Sequence, residues 1–412
     1  MTRKHIVVVD GAWVGHHPVY LKVFARVLLE AGYKVSVFCP TPEEMTTWFT
    51  HTFTGDSFQF DAYYYSDREL PFSEFLPGRI KLPLTCLSRW LQAARALKEI
   101  GKPDMVFFAW LDSYLSGYVP AWLLDWRFPF AWSGLYFHPR HYRSQHRFPL
   151  VAKYLPQPER LVARSGFACS LAILDEGIVN KLRIRLYKKP VFVFPDFADE
   201  TPPCENYSLV DEIKKKAAGR RIIGLLGSLE CRKGMLTLMR TARHPMARDW
   251  YFVFAGKLVE QTFSECEMDE IKSFLSAPRE NCFLHFDVIP NDAQFNAIVN
   301  SCDVIFAAYQ GFLHSSNLVT KAANFGKSLI VSEGGYMEEV VKRYNLGEVV
   351  PEGDVQAVIS SLDRLTTCDF ALRRAGMREF SIAQSQVGLR QSLLDVVANC
   401  AGSAVDGTGE TY

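Results

Sequence analysis

The sequence predicts an α/β protein made of two doubly wound domains, each a parallel sheet covered by helices, the two facing one cleft. Three observations predict it. The chain has 412 residues, more than one ordinary core accommodates. An apolar run, a glycine-bearing loop and an amphipathic helix follow one another twice, from residue 5 and again from residue 221. Each of these openings leads into a further apolar run of strand length, which is the grammar of a βαβ unit.

In the first half, HIVVVD (His5–Asp10) reads as a strand and GAWVGHHP (Gly11–Pro18) as its loop. The helix VYLKVFARVLLEAGY follows, with Leu21, Phe24, Val27, Leu28 and Leu29 forming its apolar stripe, and then the strand KVSVFC. DMVFFAW (Asp104–Trp110), FPFAWSGLYF (Phe128–Phe137) and PVFVF (Pro190–Phe194) extend the sheet. Pro195, Pro202 and Pro203 then sit among turn formers in PDFADETPPCENYS, which reads as a hinge and places the domain boundary at residue 200.

In the second half, RIIGLL, the loop GSLECRKG (Gly227–Gly234), the helix MLTLMRTARH and the strand WYFVFAG repeat the pattern. CFLHFDVI (Cys282–Ile289), CDVIFAAY (Cys302–Tyr309) and SLIVSE (Ser328–Glu333) add strands to a domain spanning 201–379. FSIAQSQVGLRQSLLDVVANC, residues 380–400, reads as one long amphipathic helix in need of a partner surface, and 401–412 as a disordered tail.

Composition excludes several classes. A net charge of +1 is not the strongly basic balance of a nucleic-acid-binding domain. The ten cysteines are scattered with no CxxC pair, as suits small core residues in a reducing, cytoplasmic setting rather than a metal site or disulfide framework. The basic N-terminus precedes an apolar run too short for a signal peptide, and no stretch has the length of a membrane span.

In open parallel sheets ligands bind outside the carboxyl ends of the strands, so the loops there are the candidates. Gly227 and Ser228 let backbone approach a ligand, while Arg232 and Lys233 stand at the mouth of a helix, an arrangement suited to a diphosphate. Ser315, Ser316 and Asn317 are candidate N-caps whose helix offers further N–H groups. Gly15, His16 and His17 bring two histidines into the first strand–helix loop, as substrate contacts rather than metal ligands, since no carboxylate or Cys has ligand spacing. His138 follows a strand end and is a candidate contact for the reacting group.

On these residues the chain resembles the GT-B glycosyltransferases, in particular the retaining group known as family 4. The likeness rests on GHHPVYLKVFARVLLEAGYKVSVFCP, on GSLECRKGMLTLMRTA, and on the series NSCDVIFAAY, ANFGKSLIVSEGGYMEEVV and LGEVVPEGD, which together span most of both Rossmann-like domains. The resemblance implies a nucleotide-diphospho-sugar donor on the C-terminal domain, an acceptor on the N-terminal domain, no metal or other cofactor, and retention of configuration. It implies that Arg232 and Lys233 hold the diphosphate, backbone at Val288 and Ile289 flanks the base, Gly15 lies near the sugar phosphate and His138 near the transferred sugar. The helix from Phe380 would cross back to the N-terminal domain. One departure stands out: the family's paired glutamates, which hold donor-sugar and ribose hydroxyls, fall here on Leu313 and Lys321. Lys321 is therefore expected to donate to ribose or phosphate, with Ser315, Ser316 and Asn317 adding polar contacts.

Two readings compete with transfer to a glycan, lipid-linked or small-molecule acceptor: a catalytically silent GT-B scaffold, favoured by the missing carboxylates, and a nucleotide-sugar epimerase. The basic, aromatic-interleaved stretches RIKLPLTCLSRWLQAARALK and PRHYRSQHRFPLVAKYLPQPERLVAR are candidates for peripheral contact with an anionic membrane.

Overall fold

A computed structural model describes residues 3–55, 57–68, 70, 75–143, 156–277, 279–367 and 370–403. Most of the expected tail, 404–412, and part of the second basic stretch, 144–155, lie outside the described residues. The chain divides into two compact units, Met1–Phe194 with Val387–Tyr412, and Pro195–Gln386.

The first unit alternates strand and helix: β1 (His5–Val9), α1 (His17–Glu30), β2 (Lys34–Cys39), α2 (Pro42–Thr52), β3 (Phe60–Tyr64), α3 (Gly78–Ala96), β4 (Met105–Phe108), α4 (Ala121–Arg127), β5 (Trp132–Tyr136), α5 (Arg160–Arg164), β6 (Leu171–Ile173), α6 (Val179–Leu186) and β7 (Val191–Val193). These strands form one parallel sheet in the order β3-β2-β1-β4-β5-β6-β7. The chain winds outward from β1 to β3 and then restarts at β4 on the other side, so the switch point lies between β1 and β4.

The second unit contains α7 (Ser208–Ala217), β8 (Arg221–Leu226), α8 (Met235–Arg243), β9 (Trp250–Ala255), α9 (Glu265–Ser276), β10 (Cys282–His285), α10 (Asp292–Ser301), β11 (Val304–Ala307), α11 (Asn317–Asn324), β12 (Ser328–Ser332), α12 (Tyr336–Tyr344), β13 (Gly347–Val350), α13 (Val355–Thr367) and α14 (Phe370–Ala383). Its parallel sheet runs β10-β9-β8-β11-β12-β13, with the switch point between β8 and β11. Alternation along the strands explains why they read as unbroken apolar runs. Ile222 and Leu226 of β8, with Tyr251 and Val253 of β9, join the core on one face; Ile223, Leu225, Phe252 and Phe254 join the core on the other.

Two expectations are corrected. The units part between Phe194 and Pro195 rather than after residue 200, because the proline-bearing segment is bonded into the second unit. Asp196 N–H donates to Gln384 Oε1 at 2.7 Å, Thr320 Oγ1 to the Asp196 carbonyl at 2.8 Å, and Asn317 Nδ2 to the Phe197 carbonyl at 2.6 Å. The expected single helix from Phe380 is two: α14 ends at Ala383 and α15 (Gln386–Ser403) begins after a turn. Met377 and Phe380 serve the core of the second unit, whereas Leu389, Leu393, Val396 and Cys400 form a separate buried stripe in the first. There α15 is held by Ser392 Oγ donating to the Val193 carbonyl at 3.0 Å and by Arg390 paired with Glu30 at 2.8 Å.

One of the close approaches in the second unit lies beside its switch point. Gly256 has φ +134°, and a Cβ there would lie 2.0 Å from the Gly227 carbonyl oxygen. Gly256→Ala is therefore expected to cost at least about 1–3 kcal/mol, the range for overpacking, read as a lowered urea midpoint. Gly78→Ala, with open space around its Cβ, is the control and should leave the midpoint unchanged or raise it.

Candidate functional site

In the second unit the loops leaving β8 and β11 carry the candidate donor-binding groups. Gly227 turns the chain at φ +87°, Ser228 is exposed beside it, and Leu229 bridges to Leu258, which fixes the loop's path. Gly234, at φ +74°, caps α8; a side chain there would press within 2.7 Å of the Ala308 carbonyl, so glycine is required both for the turn and for the neighbouring strand. Arg232 and Lys233 lie on the short turn between these glycines, at the positive end of α8.

The two cations are not equivalent. Arg232 donates from Nε to Glu230 at 2.7 Å and lies over the rings of Phe312 and Tyr309, 5.2 and 5.8 Å from their centroids. Lys233 has no carboxylate partner among the described residues. Its ammonium lies 5.9 Å from the Tyr309 ring centroid and 3.4 Å from where a Gly227 Cβ would be. A side chain at residue 227 would thus crowd the Lys233 ammonium. The loop after β11 is tied to this turn, with Gln310 N–H donating to the Arg232 carbonyl at 2.6 Å.

Lys321 is committed elsewhere. It is only 5% exposed, and its ammonium donates to Asn296 Oδ1 at 2.7 Å. It also lies 3.6 Å from Asp292 and 3.7 Å from Asp199, over the ring of Phe295. Asn296 completes the network by donating to Asp199 at 3.0 Å and to the Thr201 carbonyl at 2.8 Å. The expected donation from Lys321 to ribose or phosphate is corrected: its positive charge fastens α11 to α10 and to segment 199–201. Phe295 links this network to the loop after β8, because its ring edge would lie 3.8 Å from a Gly227 Cβ.

Of the polar residues where α11 begins, Asn317 is engaged within the protein. Asn317 holds the Phe197 carbonyl, so its amide is not turned to a donor. Ser315 and Ser316 line a small crevice with Asp196, Tyr336 and Gln384, and Ser316, at the N-cap position, makes no side-chain cap. Val288 is exposed and Ile289 partly buried in the loop between β10 and α10, close in sequence to Asp292.

In the first unit the structure gathers a second set of groups at the β1/β4 switch point. Gly15 adopts φ +62° in the turn before α1, His16 is exposed at the N-cap, and His17 turns inward as the first helical residue. The tandem histidines therefore face different surroundings. His17 Nδ1 lies 2.9 Å from both carboxylate oxygens of Asp10, which is 2% exposed at the end of β1. Burial pushes the Asp10 carboxyl up, and the His17 hydrogen bond pulls it back.

The His17 ring stacks on Trp110 at 4.1 Å, Trp110 stacks on Phe137 at 3.8 Å, and His138 lies on the far side, 5.8 Å from the Trp110 ring. His138 is held through its backbone, since Asp112 accepts the N–H groups of Phe137 and His138, each at 2.7 Å. Beyond it, Glu159 meets Tyr142 at 2.7 Å and His141 at 3.0 Å, and Asp175 meets Arg143 with two bonds of 2.7 and 2.6 Å. Three carboxylates thus pin the loop that presents His138. Among the described residues no group of His, Cys, Asp and Glu is arranged as a metal site.

The sequence reading named His17 and His138 in loops of the first unit and Gly227 and Lys233 in a loop of the second, but did not name Asp10, Trp110, Asp112, Phe295 and Asn296, which pack around them. Asp10 carries a signal in retrospect, an acid closing an otherwise apolar strand. Phe295 and Asn296 lie within an ordinary helix and carry none.

No protein-family model matches the chain, and no curated protein matches it in sequence. Solved structures do. A sucrose-phosphate synthase from Thermosynechococcus elongatus has a TM-score of 0.60 at 15% identity, covering 98% of this chain and 99% of that one. A UDP-forming α,α-trehalose-phosphate synthase from Burkholderia xenovorans has a TM-score of 0.65 at 12% identity, covering 97% and 100%. Anabaena HepE in complex with UDP-glucose has a TM-score of 0.61 at 12% identity, covering 96% and 99%. The fold is thus GT-B, the two-domain α/β fold of these glycosyltransferases.

The Lys321 network generates a stability prediction. Lys321→Met removes a buried hydrogen bond to a charged donor and leaves Asp199 without its cation, so a loss of about 1.5–3 kcal/mol is expected in urea denaturation. A solvated surface lysine would change stability by less than about 0.5 kcal/mol.

Proposed function

We propose that the protein transfers a sugar from a nucleotide-diphospho-sugar to a hydroxyl acceptor, with the donor held by the second unit and the acceptor by the first, and with no metal required. One observation carries this reading: at the switch point of the second sheet an ammonium without a carboxylate partner among the described residues, Lys233, lies beside the glycine turn and the N-terminus of α8. The fold shared with nucleotide-sugar enzymes supports it.

In glycosyl transfer, negative charge grows on the departing diphosphate, so a fixed cation and helix N–H groups aimed there stabilise the transition state more than the ground state. Lys233 supplies that cation, and Arg232, shared with Glu230, supplies less. His138, fixed through its backbone, is the group offered to the transferred sugar. Lys321 acts indirectly. By holding Asp292 and Asp199 it fastens α11 to α10 and to segment 199–201, and so keeps the donor-side loops in place. The resemblance further implies retention of configuration.

A glycan or lipid-linked acceptor is favoured over a small molecule by one face of the first unit. Helix α4 exposes Trp122 and Trp126, at 71% and 65%, with Arg127 stacked 3.9 Å over Trp126. Trp122 lines a depression of about 550 Å³ with Tyr118, Arg160 and Arg164, and α3, packed beside α4, exposes Ile80, Leu82 and Leu84. Aromatic and basic side chains mixed in this way suit the headgroup region of an anionic bilayer. Among the described residues no helix is long and apolar enough to cross a membrane.

Two measurements test the proposal. Calorimetric titration with UDP, GDP and ADP and their sugars should find one nucleotide that binds. Lys233→Ala should weaken it roughly 10- to 100-fold and Arg232→Ala by less; absence of binding by every nucleotide would favour the silent-scaffold reading. Sedimentation with vesicles containing phosphatidylserine should pellet the protein at low salt, and Trp122→Ser combined with Trp126→Ser should return it to the supernatant. Persistence of the unmodified protein in the supernatant removes the membrane contact.

A further inference from the structure

The strands of a parallel sheet begin at one side as they end at the other, and in the second unit the side where they begin is also built of polar groups. β8 starts there at Arg221, β9 at Trp250 and β12 at Ser328, at the opposite ends of the strands from Gly227 and Lys233. Arg373 of α14 meets this side in a cavity of about 260 Å³ that Arg221, Lys327, Phe370 and Arg374 also line. Its charge is unbalanced. Against four cations, Asp303 is the only carboxylate among the described lining residues, and it already accepts the Ile222 N–H at 2.7 Å.

Arg373 is the unusual member. It is only 4% exposed, yet its guanidinium is poorly matched to the protein around it. Nη1 donates to Ser328 Oγ and Nη2 to Glu348 Oε1, both at 3.4 Å, long for hydrogen bonds, and Nε has no partner among the described residues. Glu348 is held more closely by Arg364, at 2.7 Å. A guanidinium presents five donors in a rigid fork, and burying it with donors unfilled costs free energy that a native structure ordinarily avoids. An arginine serving only to brace α14 would be seated on Glu348 at close range. The neighbouring cations also keep donors in reserve. Arg221 gives one N–H to the Leu365 carbonyl at 3.3 Å and lies 6.0 Å from the ring centroids of both Trp250 and Phe370. Lys327 donates to the Asn300 carbonyl at 2.7 Å, and burial pushes its ammonium below the ordinary lysine range. Arg374 and Phe370 are exposed, which leaves the cavity open to solvent.

We infer that this cavity is a binding site for a small phosphate monoester, separate from the donor site and independent of the transferase reading. Guanidinium forks from two directions match the oxygens of a phosphate, and the excess of positive charge favours a dianion over a carboxylate. The phosphate accepts from Arg373 Nε and from Arg221, Lys327 and Arg374 neutralise it, and its organic part rests on Phe370. The volume lies below the range of about 300–1,000 Å³ typical of larger ligands, so the ester carries a short chain and not a nucleoside. Once bound, it ties α14 to the starting ends of β8 and β12.

The test uses the full chain with inorganic phosphate and glycerol 3-phosphate as probes and acetate as the control, all at one ionic strength. Calorimetry should give saturable binding of both phosphates with a Kd of about 1 mM or tighter, accompanied by a raised melting temperature, and acetate should give neither. Arg221→Gln and Arg374→Gln, at side chains that are not fully buried, should each weaken glycerol 3-phosphate about 10- to 100-fold while leaving the melting temperature without phosphate close to wild type. Arg373→Met should abolish the binding. Lys233→Ala, at the other ends of the strands, should leave the phosphate affinity unchanged. The inference is overturned by the absence of saturable binding up to about 10 mM, by acetate binding as tightly as phosphate, or by a phosphate affinity that falls with Lys233→Ala and not with Arg221→Gln and Arg374→Gln. None of these outcomes depends on whether a nucleotide binds, so the transferase reading stands or falls separately.

Discussion

Parallel pairing throughout both sheets is the constraint on which the remaining structure depends. A parallel strand cannot be joined to its neighbour by a tight turn, so each connection passes over a face of the sheet as a helix, and every strand delivers its following loop to the same edge. Where the winding reverses, between β1 and β4 and between β8 and β11, two such loops diverge and leave a crevice. Asp10, His17 and Trp110 occupy the first of these positions, and Gly227, Lys233 and Tyr309 the second. The site residues are far apart in sequence because the winding order, not local proximity, brings them together.

Charge at these positions is sorted by what each group already satisfies. Arg232 and Lys233 are adjacent, yet Glu230 takes up the former and leaves the latter. Asn296 shows how completely a buried amide can be used: its oxygen receives the Lys321 ammonium, and its nitrogen serves Asp199 and Thr201. A lysine so placed avoids the desolvation penalty of an isolated buried cation and converts it into a clamp on the segment that opens the second unit. The departure from the family pattern at residue 321 is thus a change of partner for the helix, made inside the protein.

The fold was legible because its signals are redundant. Apolar runs at β1, β2, β4, β8 and β9 need only their composition to be recognised, and the glycine turns beside them are required by the backbone. β3, β6 and β13 escaped, being short or interrupted by polar residues: Asp61 lies within β3 and Glu348 within β13. The site was legible only as far as loops define it. Gly227, Lys233, His17 and His138 sit in loops whose positions follow from topology, but side-chain direction does not follow from sequence. Asn317 was read as a donor contact because its helix begins at the right loop, and Lys321 because it falls where the resembled family has a glutamate; the faces they present were decided by Phe197, Asn296 and two aspartates elsewhere in the chain. The turn at Gln384–Ser385 was hidden for a related reason, since neither proline nor glycine marks it and only the change of core on either side explains it.

That α15 belongs to the first unit has a consequence for how the protein is made. During synthesis residues 1–194 leave the ribosome long before Leu389, Leu393 and Val396, so the surface these side chains cover stays open while the whole contiguous second unit is being translated. The usual vectorial order, in which the N-terminal domain finishes first, is reversed here. The second unit is contiguous, and the first is completed only when α15 emerges after it, which makes translation of the second unit a period of exposed apolar surface for the N-terminal half.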